Sequence, residues 1–156
     1  MHKRKLTKEQ ALQKLRHYCS YQERCQSEVK IKLYDLGINK NEYDEMIREL
    51  VKEEYLNEER FARAFAVGKL KIKEWGRKKI QFALKEKMVK ADSIQKAIEQ
   101  IIEEDYLAIL QKLAREKFTS LNSEQVMVRK KKTMEYLLQR GFEFDLVRTT
   151  VESISN

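Results

Sequence analysis

Between Val29 and Leu50 the apolar residues fall at Val29, Leu33 and Leu36, then at Ile38, Tyr43, Met46, Ile47 and Leu50. That spacing predicts one helix, a break at Gly37 and a second helix. Gly37 suits the left-handed position after a helix end, where a Cβ would clash, and Asn41 is the expected cap of the helix that follows. The same pattern returns twice. Leu33, Ile38, Tyr43, Ile47 and Leu50 correspond to Leu84, Val89, Ile94, Ile98 and Ile101, 51 residues on, and these to Leu137, Phe142, Val147, Val151 and Ile154, a further 53 on. Gly37 returns as Gly141, with Met88 between them, and Tyr55-Leu56 returns as Tyr106-Leu107. Five apolar positions in register over three copies point to an internal repeat.

Each copy has room for a third helix ahead of the matched pair. In the first, Leu12, Leu15 and Cys19 form a face after Thr7-x-x-Gln10, the spacing of a capping box. In the second, Phe61, Ala64, Phe65 and Gly68 follow Asn57. In the third, Leu107, Leu110, Ala114 and Phe118 lead to Asn122-x-x-Gln125, which is predicted to start the next helix by the same logic. The expected architecture is all-α, with three tandem three-helix repeats over residues 1–56, 57–106 and 107–156. A unit of about 50 residues holds too little core to stand alone, so neighbouring units are expected to share apolar faces, with Tyr55-Leu56 and Tyr106-Leu107 at the hand-over points. Zero prolines and four glycines agree with helices joined by short turns.

Charge changes the picture. The chain carries net +8, and from Lys69 to Lys90 there are nine Lys or Arg against Glu74 and Glu86. From Glu42 to Glu59 eight carboxylates face only Arg48 and Lys52. A field of this sign concentrates polyanions over the middle of the chain. Lys78, Phe82 and Lys85 share one face of the helix after Gly76, with Trp75 just upstream, a basic and aromatic composition suited to phosphates and bases together. Two readings of Phe82 stand at this point: exposed on that surface, or covered by a neighbouring unit. A second basic run, Arg129-Lys130-Lys131-Lys132, opens a helix of the third copy, and Lys3, Arg4, Lys5 and Lys8 start the chain. Cations at a helix start oppose its dipole. Arg77, Lys78 and Lys79 are therefore expected to cost stability and to be retained for contact with an anionic partner; their replacement by glutamine is expected to leave stability unchanged or slightly raised.

Other chemistry is thin. Cys19 and Cys25 match neither a redox pair nor a metal knuckle, His2 and His17 lack a partner pattern, and no Gly-rich phosphate loop or nucleophile motif occurs. No cofactor, metal or catalytic residue is expected. No run approaches the roughly 20 apolar residues of a membrane span, and MHKRKL is not followed by an apolar signal core, so a soluble cytoplasmic protein is the expectation; a monomer is expected beside it, though no sequence pattern fixes the oligomeric state.

The stretch YLNEERFARAF (Tyr55–Phe65), followed by the basic G-x-x-K-I-x-x-x-L of Gly76 to Leu84, resembles the RecX family, bacterial regulators of the RecA recombinase. Glu28-Val29-x-x-x-Leu33 with Gly37 is similar to the family's first unit. Cys25 stands where that family has serine, so Ser27 or Ser20 is expected to cap the helix, and Met88 stands where it has glycine. The resemblance implies tandem three-helix units in an elongated, curved array. It also implies a protein that binds RecA and its filament on DNA, lowers ATP hydrolysis and strand exchange in homologous recombination and repair, and does no chemistry itself. The residues expected to meet DNA or the filament are Lys71, Lys73, Trp75, Arg77, Lys78, Lys79, Phe82, Lys85, Arg129, Lys130, Lys131 and Lys132. Glu53, Glu54, Glu58 and Glu59 are expected to meet a basic surface of the recombinase. Weak contact with single- or double-stranded DNA is part of this reading. A different class, a stand-alone DNA-binding protein of tandem helix-turn-helix-like units, stays open beside it.

Overall fold

The computed structural model describes residues 6–156. Among them are nine α-helices and no strand: α1 (Lys8–Tyr21), α2 (Gln26–Asp35), α3 (Tyr43–Lys52), α4 (Glu58–Lys71), α5 (Arg77–Glu86), α6 (Ala91–Glu99), α7 (Glu103–Ser120), α8 (Val126–Gln139) and α9 (Phe144–Ser155). The basic start of the chain, Lys3 to Lys5, lies outside the described residues.

The repeat is visible in the backbone. Gly37, Met88 and Gly141 all take the left-handed conformation, with φ of 75°, 64° and 96°. At each, the same pair of hydrogen bonds closes the preceding helix: Ile38, Val89 and Phe142 N–H groups donate to the Leu33, Leu84 and Leu137 carbonyls at 3.1, 3.2 and 3.2 Å. The Gly37, Met88 and Gly141 N–H groups donate three residues back at 3.0 Å each. These return bonds satisfy carbonyls that a helix end leaves orphaned. Met88 holds this turn without glycine's freedom, at a cost on the order of 1 kcal/mol, and its side chain is 77% exposed. Leu33, Leu84 and Leu137 are fully buried at all three places, each burial stabilising by roughly 1.5 to 3 kcal/mol.

The described residues form two compact units. One takes the chain up to Ala64 together with Leu84–Lys96, the other Phe65–Ala83 with Ala97–Asn156, so the division falls within α4, α5 and α6. The first unit's core joins Ala11, Leu12, Leu15 and Cys19 of α1 to Val29 and Leu33 of α2 and to Tyr43, Met46, Ile47 and Leu50 of α3, with Leu56 buried and Tyr55 partly buried against it. In the second unit α7, α8 and α9 pack on one another, burying Tyr106, Leu110, Leu113 and Ala114 against Leu137, Phe142, Val147 and Val151.

Several local expectations change. Tyr55-Leu56 lies in the turn before α4, whereas Tyr106-Leu107 lies within the first turns of α7, so the two pairs are not equivalent. Their 51-residue spacing is a coincidence of sequence. The capping box at Thr7 forms, with Thr7 Oγ accepting from Gln10 N–H at 3.1 Å and the Gln10 side chain accepting from Thr7 N–H at 2.9 Å. Asn41 does not cap α3: it sits in a 3-10 turn, Lys40–Glu42, whose cap is Asn39. Gln125, rather than Asn122, is the cap residue of α8. The buried face of α4 is Phe61, Ala62, Ala66 and Leu70, which leaves Ala64 exposed and Phe65 half-buried. Cys25 itself is the cap residue of α2, because Glu28 reaches back to accept from Cys25 N–H at 3.0 Å. Ser27 donates instead to the Lys87 carbonyl at 2.6 Å.

Candidate nucleic-acid interface

The central basic stretch begins where α4 ends. Glu74 turns the chain through a positive φ of 56°, and Trp75 N–H returns to the Lys69 carbonyl at 3.1 Å. Two ammonium groups lie over the Trp75 ring, Lys69 Nζ at 5.0 Å and Lys79 Nζ at 4.8 Å from its centroid. The ring's negative face stabilises both cations while the lysines shield it.

The next residue, Gly76, packs directly on the turn at Gly141. A Cβ on Gly76 would overlap the backbone of Gly141 and Phe142, and one on Gly141 would overlap Lys79. Glycine at both positions lets the backbones hydrogen-bond: Gly76 N–H to the Arg140 carbonyl at 2.7 Å and Lys78 N–H to the Gly141 carbonyl at 3.0 Å. The Tyr106 hydroxyl accepts from Arg77 N–H at 3.0 Å. Amides at the start of α5 are thus satisfied within the protein, so this helix start does not present them to a phosphate. Arg140 fastens the loop from the other side, donating to the Lys73 carbonyl at 2.6 Å and the Glu74 carbonyl at 3.2 Å.

Arg77 belongs to this clamp. Its guanidinium lies 3.8 Å from the Tyr106 ring centroid, pairs with Glu143 at 2.6 Å and with Glu103, and its side chain is 17% exposed. Burial works against its charge, but the Glu143 and Glu103 carboxylates outweigh burial and hold its pKa above the usual value. Burial, with the hydrogen bond to Glu143 next, pushes the Tyr106 phenol pKa well up, so the hydroxyl stays protonated and donates to Glu143. The expectation that Arg77 costs stability therefore fails, because two carboxylates and a ring offset the opposing helix dipole.

The remaining residues separate by their partners. Lys71, Lys73 and Lys78 are exposed and form no ion pair with a described carboxylate. Phe82 is 62% exposed, which settles its two readings in favour of an open ring. Lys85 is exposed and lies in the first unit. In the second basic run Arg129 turns inward, stacking 3.8 Å from the Phe118 ring centroid and donating to the Phe118 carbonyl at 2.8 Å. Lys132 pairs with Glu124 at 2.7 Å, while Lys130 is half-buried and Lys131 exposed.

The acidic set is largely used internally. Glu53 pairs with Arg16 at 2.9 Å, which holds its carboxyl below the usual range. Glu59 pairs with Lys96 at 2.9 Å, with the same effect. Glu58 turns inward: burial raises its pKa against a bond from the Gln26 backbone, and its Oε2 is buried without a partner. Glu54 is exposed and holds a positive φ of 64°.

The residues that sequence reasoning passed over are Tyr106, Arg140 and Glu143, which fix the loop carrying Trp75. Among them only Tyr106 carried a signal, and that signal was the misleading spacing from Tyr55.

Comparison with known proteins places this arrangement. Residues 57–98 match the second three-helix domain of RecX and residues 103–151 the third, together more than half of the chain. The chain belongs to the RecX family. A RecX crystal structure from Lactobacillus salivarius superposes with a TM-score of 0.85 at 21% identity, covering 94% of this chain and 95% of that one. A second crystal structure of regulatory protein RecX gives 0.83 at 19%, covering 97% and 82%. These neighbours establish the fold of tandem helical repeats. Regulatory protein RecX of Leuconostoc mesenteroides is 26% identical over 81% of this chain and 48% of its own length. That of Oceanobacillus iheyensis is 27% identical over 88% and 51%. The chain thus spans about half the length of these curated RecX relatives. No helix among its described residues is long and apolar enough to cross a membrane.

Proposed function

We propose that this RecX-family chain is a regulatory protein that binds the RecA recombinase as its filament on DNA and restrains ATP hydrolysis and strand exchange. The observation that carries the reading is the exposed cationic and aromatic surface around Trp75. There Lys71, Lys73 and Lys78 stand free of carboxylate partners and Phe82 offers an open ring, within a family whose curated members are named regulatory proteins. Lys79, Lys85, Lys130 and Lys131 extend the cationic set. Arg77 and Arg129 act through positioning, since their guanidiniums are spent on internal partners. The exposed carboxylate of Glu54 is the acidic group left available to a basic recombinase surface, whereas Glu59 would first have to release Lys96.

Long-range attraction to a polyanion speeds encounter and makes affinity fall steeply with salt. Repeated weak contacts along a filament then add through effective concentration. The test is binding to RecA-coated single-stranded DNA against naked duplex of the same sequence at matched salt. Preference for the coated filament supports the proposal. Equal or tighter binding to naked duplex, with a preferred sequence, favours the stand-alone DNA-binding reading instead.

A further inference from the structure

The first unit carries a second cationic and aromatic site, built from residues that are not part of the set around Trp75. Lys14, His17, Tyr18 and Tyr21 follow one another at helical spacing along one face of α1, distinct from the face of Leu12, Leu15 and Cys19 that enters the core. Arg24, from the connection after α1, and Lys32 of α2 complete the walls of an open cleft of about 450 Å³. Volumes of this size accommodate small ligands.

Arg24 is fixed in place. Its Nε donates to the Tyr18 carbonyl at 3.1 Å, and its guanidinium carbon lies 3.7 Å above the Tyr18 ring and 6.0 Å from that of Tyr21. Lys32 Nζ sits 5.4 Å from the Tyr18 ring centroid. None of Lys14, Arg24 and Lys32 forms an ion pair with a described carboxylate, in contrast to Lys8, Arg16, Arg60, Lys87 and Lys96 of the same unit. Tyr18 already has a cation over its ring, whereas Tyr21 is 79% exposed at the rim. Arg24, 6.0 Å from the open Tyr21 ring, together with Lys14 and Lys32 lining the same cleft, matches a repeating anion with a planar group attached.

We propose that this cleft binds a nucleotide unit of single-stranded nucleic acid, with the base stacked on Tyr21 and the phosphates met by Arg24, Lys14 and Lys32. An acidic peptide would use the cations and leave the ring idle. Tyr21 therefore decides between the two occupants. The site stands whether or not the chain acts on a recombinase, because none of its residues belongs to the central surface.

The experiment uses the full chain and a fluorescent oligothymidylate, read by anisotropy across a salt series, with Tyr21→Ala, Lys14→Gln and Arg24→Gln. Tyr21→Ala is expected to weaken binding about 5- to 100-fold without changing the salt slope, because stacking carries no charge. Lys14→Gln and Arg24→Gln are expected each to flatten the log-log slope by about 0.7. Lys14 is exposed and has no described hydrogen-bond partner, so Lys14→Gln remains informative if Arg24→Gln loosens the corner at Tyr18. An oligonucleotide carrying 5-iodouracil should, on irradiation, form its adduct on Tyr21 or Tyr18. Parent chain that fails to bind the oligonucleotide overturns the proposal. So do adducts found only elsewhere, or Tyr21→Ala binding as tightly as the parent while polyglutamate competes at equal charge.

Discussion

Arg77→Gln separates a structural cation from the neighbouring lysines proposed to bind. The variant removes a contact with Glu143 at 2.6 Å, a second with Glu103, and a guanidinium stacked 3.8 Å from the Tyr106 ring centroid. Hydrogen bonds to charged groups contribute roughly 1.5 to 3 kcal/mol, a partly desolvated cation on a ring about 1, and an exposed pair such as that with Glu103 under about 1. These overlap rather than add, and the Glu143 carboxylate is left half-buried without its partner, so the expected loss is about 2 to 4 kcal/mol. Lys78→Gln changes an exposed residue with no carboxylate partner and should stay within about 0.5 kcal/mol. Lys79→Gln forfeits only its contact with Trp75, worth about 0.5 to 1 kcal/mol. Urea unfolding followed by helical circular dichroism measures all three. The salt dependence of DNA binding supplies the opposite ranking: Lys78→Gln and Lys79→Gln together flatten the slope by up to about 1.8, and Arg77→Gln leaves it unchanged. An Arg77→Gln protein as stable as its parent, or one whose salt slope falls like that of the lysine variants, would refute the assignment.

Other expectations follow from the same geometry. Met88→Gly relieves a left-handed non-glycine residue at an exposed turn and should raise stability by about 0.5 to 1 kcal/mol in urea unfolding. Gly76→Ala drives a methyl into the Gly141 backbone and should cost about 3 kcal/mol or more, lowering the melting temperature sharply. Leu137→Ala, at a fully buried position, should cost about 2 to 5 kcal/mol. Glu58→Gln should stabilise the protein at pH 7. A carboxyl whose pKa is raised in the folded state weakens folding once pH rises through that value. The gain should shrink as pH falls through the raised folded-state value and be gone below about 4.5, the ordinary value of that carboxyl, and a gain that persists below about 4.5 would count against the inward placement of Glu58.

Local chemistry made much of the fold legible. Leu33, Leu84 and Leu137 share a register because each closes the same helix-ending turn, and the chain marks two of those turns with glycine. The Thr7 box is readable for the same reason, since its two partners are three residues apart. What stayed hidden depends on distance along the chain. Arg77 looks like Lys78 in sequence because its partners, Glu103 and Glu143, lie 26 and 66 residues away. Arg129 likewise hides its contact with Phe118, and Glu53 its pair with Arg16. Periodicity also misled: Tyr55 and Tyr106 match in spacing but stand at different points relative to their helices. The exposure of Phe82, and the loop clamp at Gly76 and Gly141, required packing that no local pattern encodes.

The most direct test of the central claim is ATP hydrolysis by RecA on single-stranded DNA, titrated with the parent chain and with a variant carrying glutamine at Lys71, Lys73, Lys78 and Lys79. The parent is expected to suppress hydrolysis at amounts below one chain per recombinase subunit. The variant, unfolding in urea within about 1 to 2 kcal/mol of the parent, should need far higher concentrations at physiological salt. Hydrolysis indifferent to the parent, or suppressed equally by the variant, would contradict the account.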